Sequence, residues 1–264
     1  MKIISFRNLR VLILLALLAS VAIYSKGQRL YSTAWLEPLP VVIFPINADG
    51  LPETGRYIQA LEESHFTPID DFMAREGDKY QLLVKRPTQV RLGPQVEAQP
   101  PEPPGPGSSA LSRILWSLKL RYWAWQITPD DESNRNRVRI FVLYYQGEDG
   151  QPLSHSLGLQ KGLLGVVHAY ALEKQAAQNN LIIAHELLHT VGAGDKYEAN
   201  NQPRYPDGYA EPSRSPLHPQ RQAEIMSGRI PLSKTESAMA KSLASCMVGR
   251  STAWEINWLG ADEG

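Results

Sequence analysis

The segment from Leu181 to Val191 constrains this chain more than any other. Leu181, Ile182, Ile183, Ala184, Leu187, Leu188 and Val191 make it apolar around most of its circumference, so it reads as a helix inside the core. His185, Glu186 and His189 are set into that apolar surface. Three ionisable side chains on a buried helix are costly unless they share a partner. Their spacing points to one. Residues four apart stand a turn apart on the same face, and two neutral imidazoles so placed can hold one metal ion. Glu186 then lies where a carboxylate can take a proton from water on that ion. A helix with two hydrogen-bonded core histidines would carry the same five residues, so the chain beyond His189 decides between the readings.

Gly192 follows the helix and can take a positive φ to end it. The chain can then fold back and bring Asp195 beside the two histidines. The full pattern is His-Glu-x-x-His-x-x-Gly-x-x-Asp. It resembles the metzincin clan of zinc peptidases, in the variant whose third ligand is Asp, and an Asp oxygen is an acceptable zinc ligand. The resemblance covers about residues 160 to 230. It implies Zn2+ held by His185, His189 and Asp195, with Glu186 as general base. The implied fold is α+β: a mixed, twisted sheet, a zinc-binding active-site helix, and a mostly irregular and helical C-terminal part.

Other roles come with the resemblance. Met226, in Glu224-Ile225-Met226-Ser227-Gly228, looks like the Met-turn that forms an apolar floor beneath the metal. The strand before the zinc helix, Leu163 to Tyr170, would be the upper rim of the cleft and pair as an edge with an extended peptide. That places substrate binding at Val166, His168 and Tyr170; an ordinary inner strand is the competing reading. Some metzincins carry a tyrosine two residues after the Met. Gly228 stands there, which leaves Tyr205 or Tyr209 to polarise a carbonyl oxygen or merely to pack the loop. The third ligand also keeps alternatives: Glu198, Glu224 from a second helix, and Glu211 in irregular chain. Asp195 leads because the Gly192 bend gives a reason for its position.

At the N-terminus Lys2, Arg7 and Arg10 precede an uncharged apolar run, Val11 to Tyr24. Positive residues ahead of such a run hold the N-terminus in the cytoplasm and send the rest of the chain across. The run is shorter than the ~20 residues of a full span, and Leu9 with snorkelling Arg10 and Lys26 narrows the gap. The expected layout is a basic segment at 1–10, a transmembrane anchor or signal segment at 11–24, a tether at 25–38 and a metallopeptidase-like domain at 39–264. That domain lies outside the cytoplasm, periplasmic in a Gram-negative cell. Ser20-Val21-Ala22 keeps cleavage near Ala22 and secretion open. Basic and acidic residues number 27 each, so no excess charge points to nucleic acid. Cys246 is the one cysteine, which excludes an internal disulfide and a cysteine cage; it reads as a small buried residue on a C-terminal helix.

The remaining elements are read from periodicity. Pro40 to Ile46 reads as a buried strand, closed by a turn at Asn47 to Gly50. Tyr57, Ile58, Leu61 and Phe66 sit at helical spacing, a short helix covers Ile69 to Glu76, and Tyr80 to Lys85 reads as a strand. The proline- and glycine-rich stretch 93–109 excludes helix or central strand. Ser109 to Gln126 is helical, with Leu111, Ile114, Leu115, Leu118 and Tyr122 as its core stripe. A polar turn at Asp130 to Asn136, a strand at Val138 to Tyr145 and a turn at Gly147 to Gly150 come next. After Asp195 a proline-rich irregular region runs to Pro219 and would wall the cleft. A short helix at Gln220 to Ile225 and one opened by the Ser233/Glu236 capping box complete the chain, with Trp254 and Trp258 pinning its end.

The function expected is hydrolysis of peptide bonds in a peptide or protein substrate. Two alternatives use the same residues: a membrane-tethered, non-catalytic zinc-binding or assembly protein, and a hydrolase of a non-peptide amide such as a cell-wall link. Glu186 favours catalysis, because a structural metal site needs no base and is closed by a fourth protein ligand.

Overall fold

Strands rich in β-branched and aromatic residues form the centre of the structure, a computed structural model that describes residues 6–105, 107–128, 137–147, 156–160 and 162–259. β1 (Leu39–Asn47) lies between β2 (Thr88–Leu92) and β3 (Val138–Tyr145), with β5 (Leu164–Tyr170) beyond β3. These neighbours run parallel, while β4 (Leu157–Leu159) is antiparallel to β5 and ends the order β2-β1-β3-β5-β4. The sheet is therefore mixed. Alternation sends Val41, Ile43, Ile140 and Val142 to one face and Val42, Phe44, Phe141 and Leu143 to the other. Helices α2 (Pro52–Gln59), α3 (Thr67–Lys79) and α5 (Ala176–Val191) cover the first face, and α4 (Ala110–Ile127) covers the second. Burial on both faces is why the strands read as continuous apolar runs.

The N-terminal helix α1 (Phe6–Ser32) is long and apolar enough over Arg10–Ser32 to cross a membrane or serve as a signal segment, with mean hydropathy 1.7. It continues through Ser32, so the first part of the expected tether is helix. Ser32 and Trp35 are buried. Trp35 Nε1 donates to Ile256 O at 2.6 Å, its ring meets Trp258 edge-on at 5.7 Å, and Asn257 Nδ2 donates to Thr33 O. The end of α1 is thus pinned to the end of the chain. Trp258 serves as expected, whereas Trp254 is exposed.

Several expectations are corrected. Tyr80 to Lys85 forms turns, and the strand lies further on at β2. Tyr80, Leu82 and Val84 pack against the core instead, and Tyr80 Oη donates to Val248 O. β2 is held by Asp70 of α3, which accepts from Thr88 Oγ1 at 2.6 Å and Val90 N at 3.0 Å. In α4 the buried residues are Leu120 and Ala124, and the Leu111-to-Tyr122 stripe faces outward. The period was legible; the second apolar face formed by Trp116, Leu120, Trp123 and Ala124 took the sheet.

The C-terminal part is built from short strands. Ala223–Glu224 (β6) pairs parallel with Cys246–Met247 (β9), replacing the expected helix at Gln220 to Ile225. Arg229–Pro231 (β7) and Ser237–Met239 (β8) form a hairpin where a helix was expected. Ser233 Oγ does accept from Glu236 N, but Leu232 N donates to Glu236 O and closes a turn. Cys246 is buried on β9, and the terminal helix α6 is Arg250–Glu255. Arg75 of α3 donates to Leu243 O and Cys246 O, and Glu76 accepts from Val248 N, which ties this part to the sheet layer. Lys2, the polar turn at 130–136 and residues 148–150 lie outside the described residues.

Candidate metal centre

Helix α5 stops because Gly192 takes φ +117°, with Ala193 N donating back to Leu188 O at 3.0 Å. A side chain at Gly192 would also meet Gln160 Nε2 at 2.7 Å and Glu255 O at 3.2 Å. The reversal brings Ala193 O to His189 Nδ1 at 2.8 Å and Asp195 to the helix face. Asp195 Oδ1 lies 3.1 Å from His189 Nε2 and 3.3 Å from His185 Nε2. His185 Nδ1 meets Ile225 O at 3.0 Å.

These contacts assign the tautomers. A backbone carbonyl can only accept, so both Nδ1 atoms carry protons and both Nε2 atoms present lone pairs when neutral. The two Nε2 atoms face each other at 3.1 Å with a carboxylate oxygen beside them. Three acceptors converging in this way need a cation or a proton among them. Burial opposes charge on His185, yet hydrogen bonding from Asp195, the Glu186 charge and the Ile225 carbonyl together raise its pKa. Burial likewise opposes ionisation of Asp195, and the two imidazoles outweigh it, holding the carboxyl well below its usual range. All three ligand atoms lie within 4.8 Å of one another, and two imidazole nitrogens with one carboxylate oxygen are a donor set that suits zinc.

Glu186 is buried beside this cluster, and its Oε2 has no protein hydrogen-bond partner. Burial raises its pKa against the pull of His185 and His189. The other candidate carboxylates are placed elsewhere. Glu224 is fully buried and accepts from Met226 N, Gly249 N and Thr252 Oγ1 at 2.6, 3.1 and 2.7 Å; burial pushes its pKa up to about 7. Glu198 is exposed, and Glu211 lies near Arg214. Met226 is wholly buried in the turn after Glu224. Ile225 O takes the first histidine, and Met226 O takes Lys196 N at 3.0 Å, so this turn holds the chain on both sides of the cluster.

β5 is an inner strand, which corrects the substrate-edge expectation. Val166 is buried against α4's layer, His168 stacks on Tyr145 and bonds its hydroxyl, and the backbone of Tyr170 is held by Asn179. The edge is β4. Its Gly158 lies so close to α5 that a Cβ would stand 2.5 Å from both Glu186 O and His189 Cβ. Tyr209 bonds His218, and Tyr205 reaches Pro212 O, so both phenols pack the loop.

Three residues near the cluster carry no signal of their own in the sequence. Tyr197 is half-buried two residues after Asp195; burial and the Asp195 and Glu186 charges push its pKa up to about 12. Lys196 is buried and pairs with Glu255 Oε1, while Glu255 Oε2 accepts from Gly194 N at 2.9 Å. Only the position of Tyr197, two after the candidate ligand, could have singled it out. No protein-family model matches the chain, and no curated protein matches it in sequence.

Proposed function

We propose that this protein is a zinc metallopeptidase of metzincin-like plan that hydrolyses peptide bonds outside the cytoplasm. One observation carries the reading: His185 Nε2, His189 Nε2 and Asp195 Oδ1 converge beside a buried glutamate with an unpartnered oxygen. A closed structural site would have no use for that glutamate. The basic residues ahead of the apolar run support the topology.

When bound, zinc would supply Lewis acidity to the scissile carbonyl and lower the pKa of water. His185, His189 and Asp195 would hold the ion. Glu186 takes a proton from the attacking water at Oε2 and passes it to the leaving amine nitrogen. Burial raises its pKa, which favours uptake of that proton. Burial and the Asp195 and Glu186 charges favour the neutral phenol of Tyr197, which we assign as a donor to the oxygen that gains charge. β4, directly over the motif, offers an edge to an extended peptide backbone.

The test is peptide-library cleavage by the full chain in detergent, with zinc content measured in parallel. Glu186→Gln is expected to keep zinc and lose about 10²- to 10⁴-fold in kcat. Equal turnover in the two proteins would remove Glu186 as the base. Full zinc content without cleavage in the wild type would return the protein to a non-catalytic role.

A further inference from the structure

The run that carries Asp195 leans on the last turn of the chain. Glu255 closes α6, and residues 192–196 rest against it. Its backbone oxygen lies 3.2 Å from where a side chain at Gly192 would begin. Its Oε2 accepts from Gly194 N at 2.9 Å, and its Oε1 pairs with the buried Lys196. Both neighbours of Asp195 are therefore placed by one residue. α6 has six residues, too few to be firm without outside support.

That support comes from the other end of the chain. Ile256, the next residue, is wholly buried, and its carbonyl oxygen accepts from Trp35 Nε1 at 2.6 Å. Asn257 Nδ2 donates to Thr33 O at 2.7 Å, and Trp258 meets the Trp35 ring edge-on. The three residues after Glu255 are thus each held by the turn that follows α1. The backbone is in the left-handed region on both sides of this joint, with φ +49° at Trp35 and +62° at Asn257. Asparagine visits that region readily, whereas a bulky residue is kept there only by what surrounds it.

We infer that Trp35 is a positioning residue for the metal centre. Seated on Ile256 and Trp258, it fixes the end of α6, and Glu255 carries that constraint to the run holding Asp195. The inference rests on the metal reading of the His185, His189 and Asp195 cluster. It makes the segment beyond α1 a latch: a cut that removes Trp35 would cost the site its third ligand, and a cut within α1 would not.

The test compares the wild-type full chain in detergent with Trp35→Phe, which keeps an aromatic ring and removes the donor to Ile256 O. Amide hydrogen exchange is followed without metal in peptides covering 192–197 and 253–258, with β1 and β3 as internal references. Exchange in the first two is expected to rise about tenfold, as an unpaired buried carbonyl produces, while the references stay unchanged. Zinc affinity, measured against a competing chelator, should fall about tenfold, the lower end of the effect of losing a group that orients a ligand. Asn257→Gly accepts the same left-handed backbone and removes the bond to Thr33 O, so it should give the same pattern at smaller amplitude and serves if Trp35→Phe does not fold. A uniform rise in exchange would overturn the latch, because Trp35 would then support only global stability. Unchanged exchange at 192–197, or selective loosening there with unchanged zinc affinity, would also overturn it. Absence of zinc binding in the wild type would instead remove the metal reading, and the exchange measured without metal would still decide whether the joint holds the loop.

Discussion

Gly158 has no room for a methyl group. A Cβ there would lie 2.5 Å from Glu186 O and from His189 Cβ, and neither atom can swing aside without moving α5. Gly158→Ala is expected to destabilise the protein by about 1–3 kcal/mol, the usual range for overpacking. It should lower kcat/KM more than zinc affinity, because the displaced element is the edge strand rather than the ligands. Thermal melts, turnover and zinc titration together check this. Glu224 gives a prediction in pH. Burial raises its folded pKa from 4.5 to about 7, so between those values the folded state holds a proton that the unfolded chain has released. Its contribution is present below pH 4.5 and is lost as the pH rises to about 7, by roughly 3 kcal/mol. Denaturant unfolding of wild type and Glu224→Gln across that window should show the fall in the wild type and a flatter profile in the variant. At this scale the sequence was most readable where a residue's chemistry is local, as in His185, His189 and the Gly192 bend. Gly158 and Glu255 were not readable, because their roles come from partners distant in the chain.

Among elements, the short run Gly194-Asp195-Lys196 depends on α6. Glu255 accepts from Gly194 N and pairs with the buried Lys196, so one carboxylate fixes both neighbours of Asp195. Glu255→Ala would leave a buried ammonium without its partner, at a cost of about 3–5 kcal/mol. Zinc affinity should fall with it, since Asp195 is then free to leave the cluster. Replacing the pair together, Lys196→Met with Glu255→Leu, should recover most of the melting temperature and only part of the affinity. The elements that sequence patterns located best were α5, β1, β3 and β5, whose apolar runs have one period and a buried surround. The patterns misled where two structures share a local signal. Ser233 bonds the backbone ahead of it as a helix cap does, yet the chain turns into the β7–β8 hairpin. The α4 stripe had the right period but the wrong side, since both sides of that helix are apolar.

For the molecule as a whole, the packing joins three distant parts of the chain: the end of α1, the sheet layer and the C-terminal strands. Trp35 is the clearest joint, and Trp35→Ala should lower stability by about 3–5 kcal/mol, measured as a fall in the denaturation midpoint. The same joint has a bearing on maturation. Trp35, its bond to Ile256 and its ring contact with Trp258 lie downstream of Ala22, so cleavage there would leave this joint in place. Retained or cut, the apolar helix can meet either fate without the folded body having to rearrange.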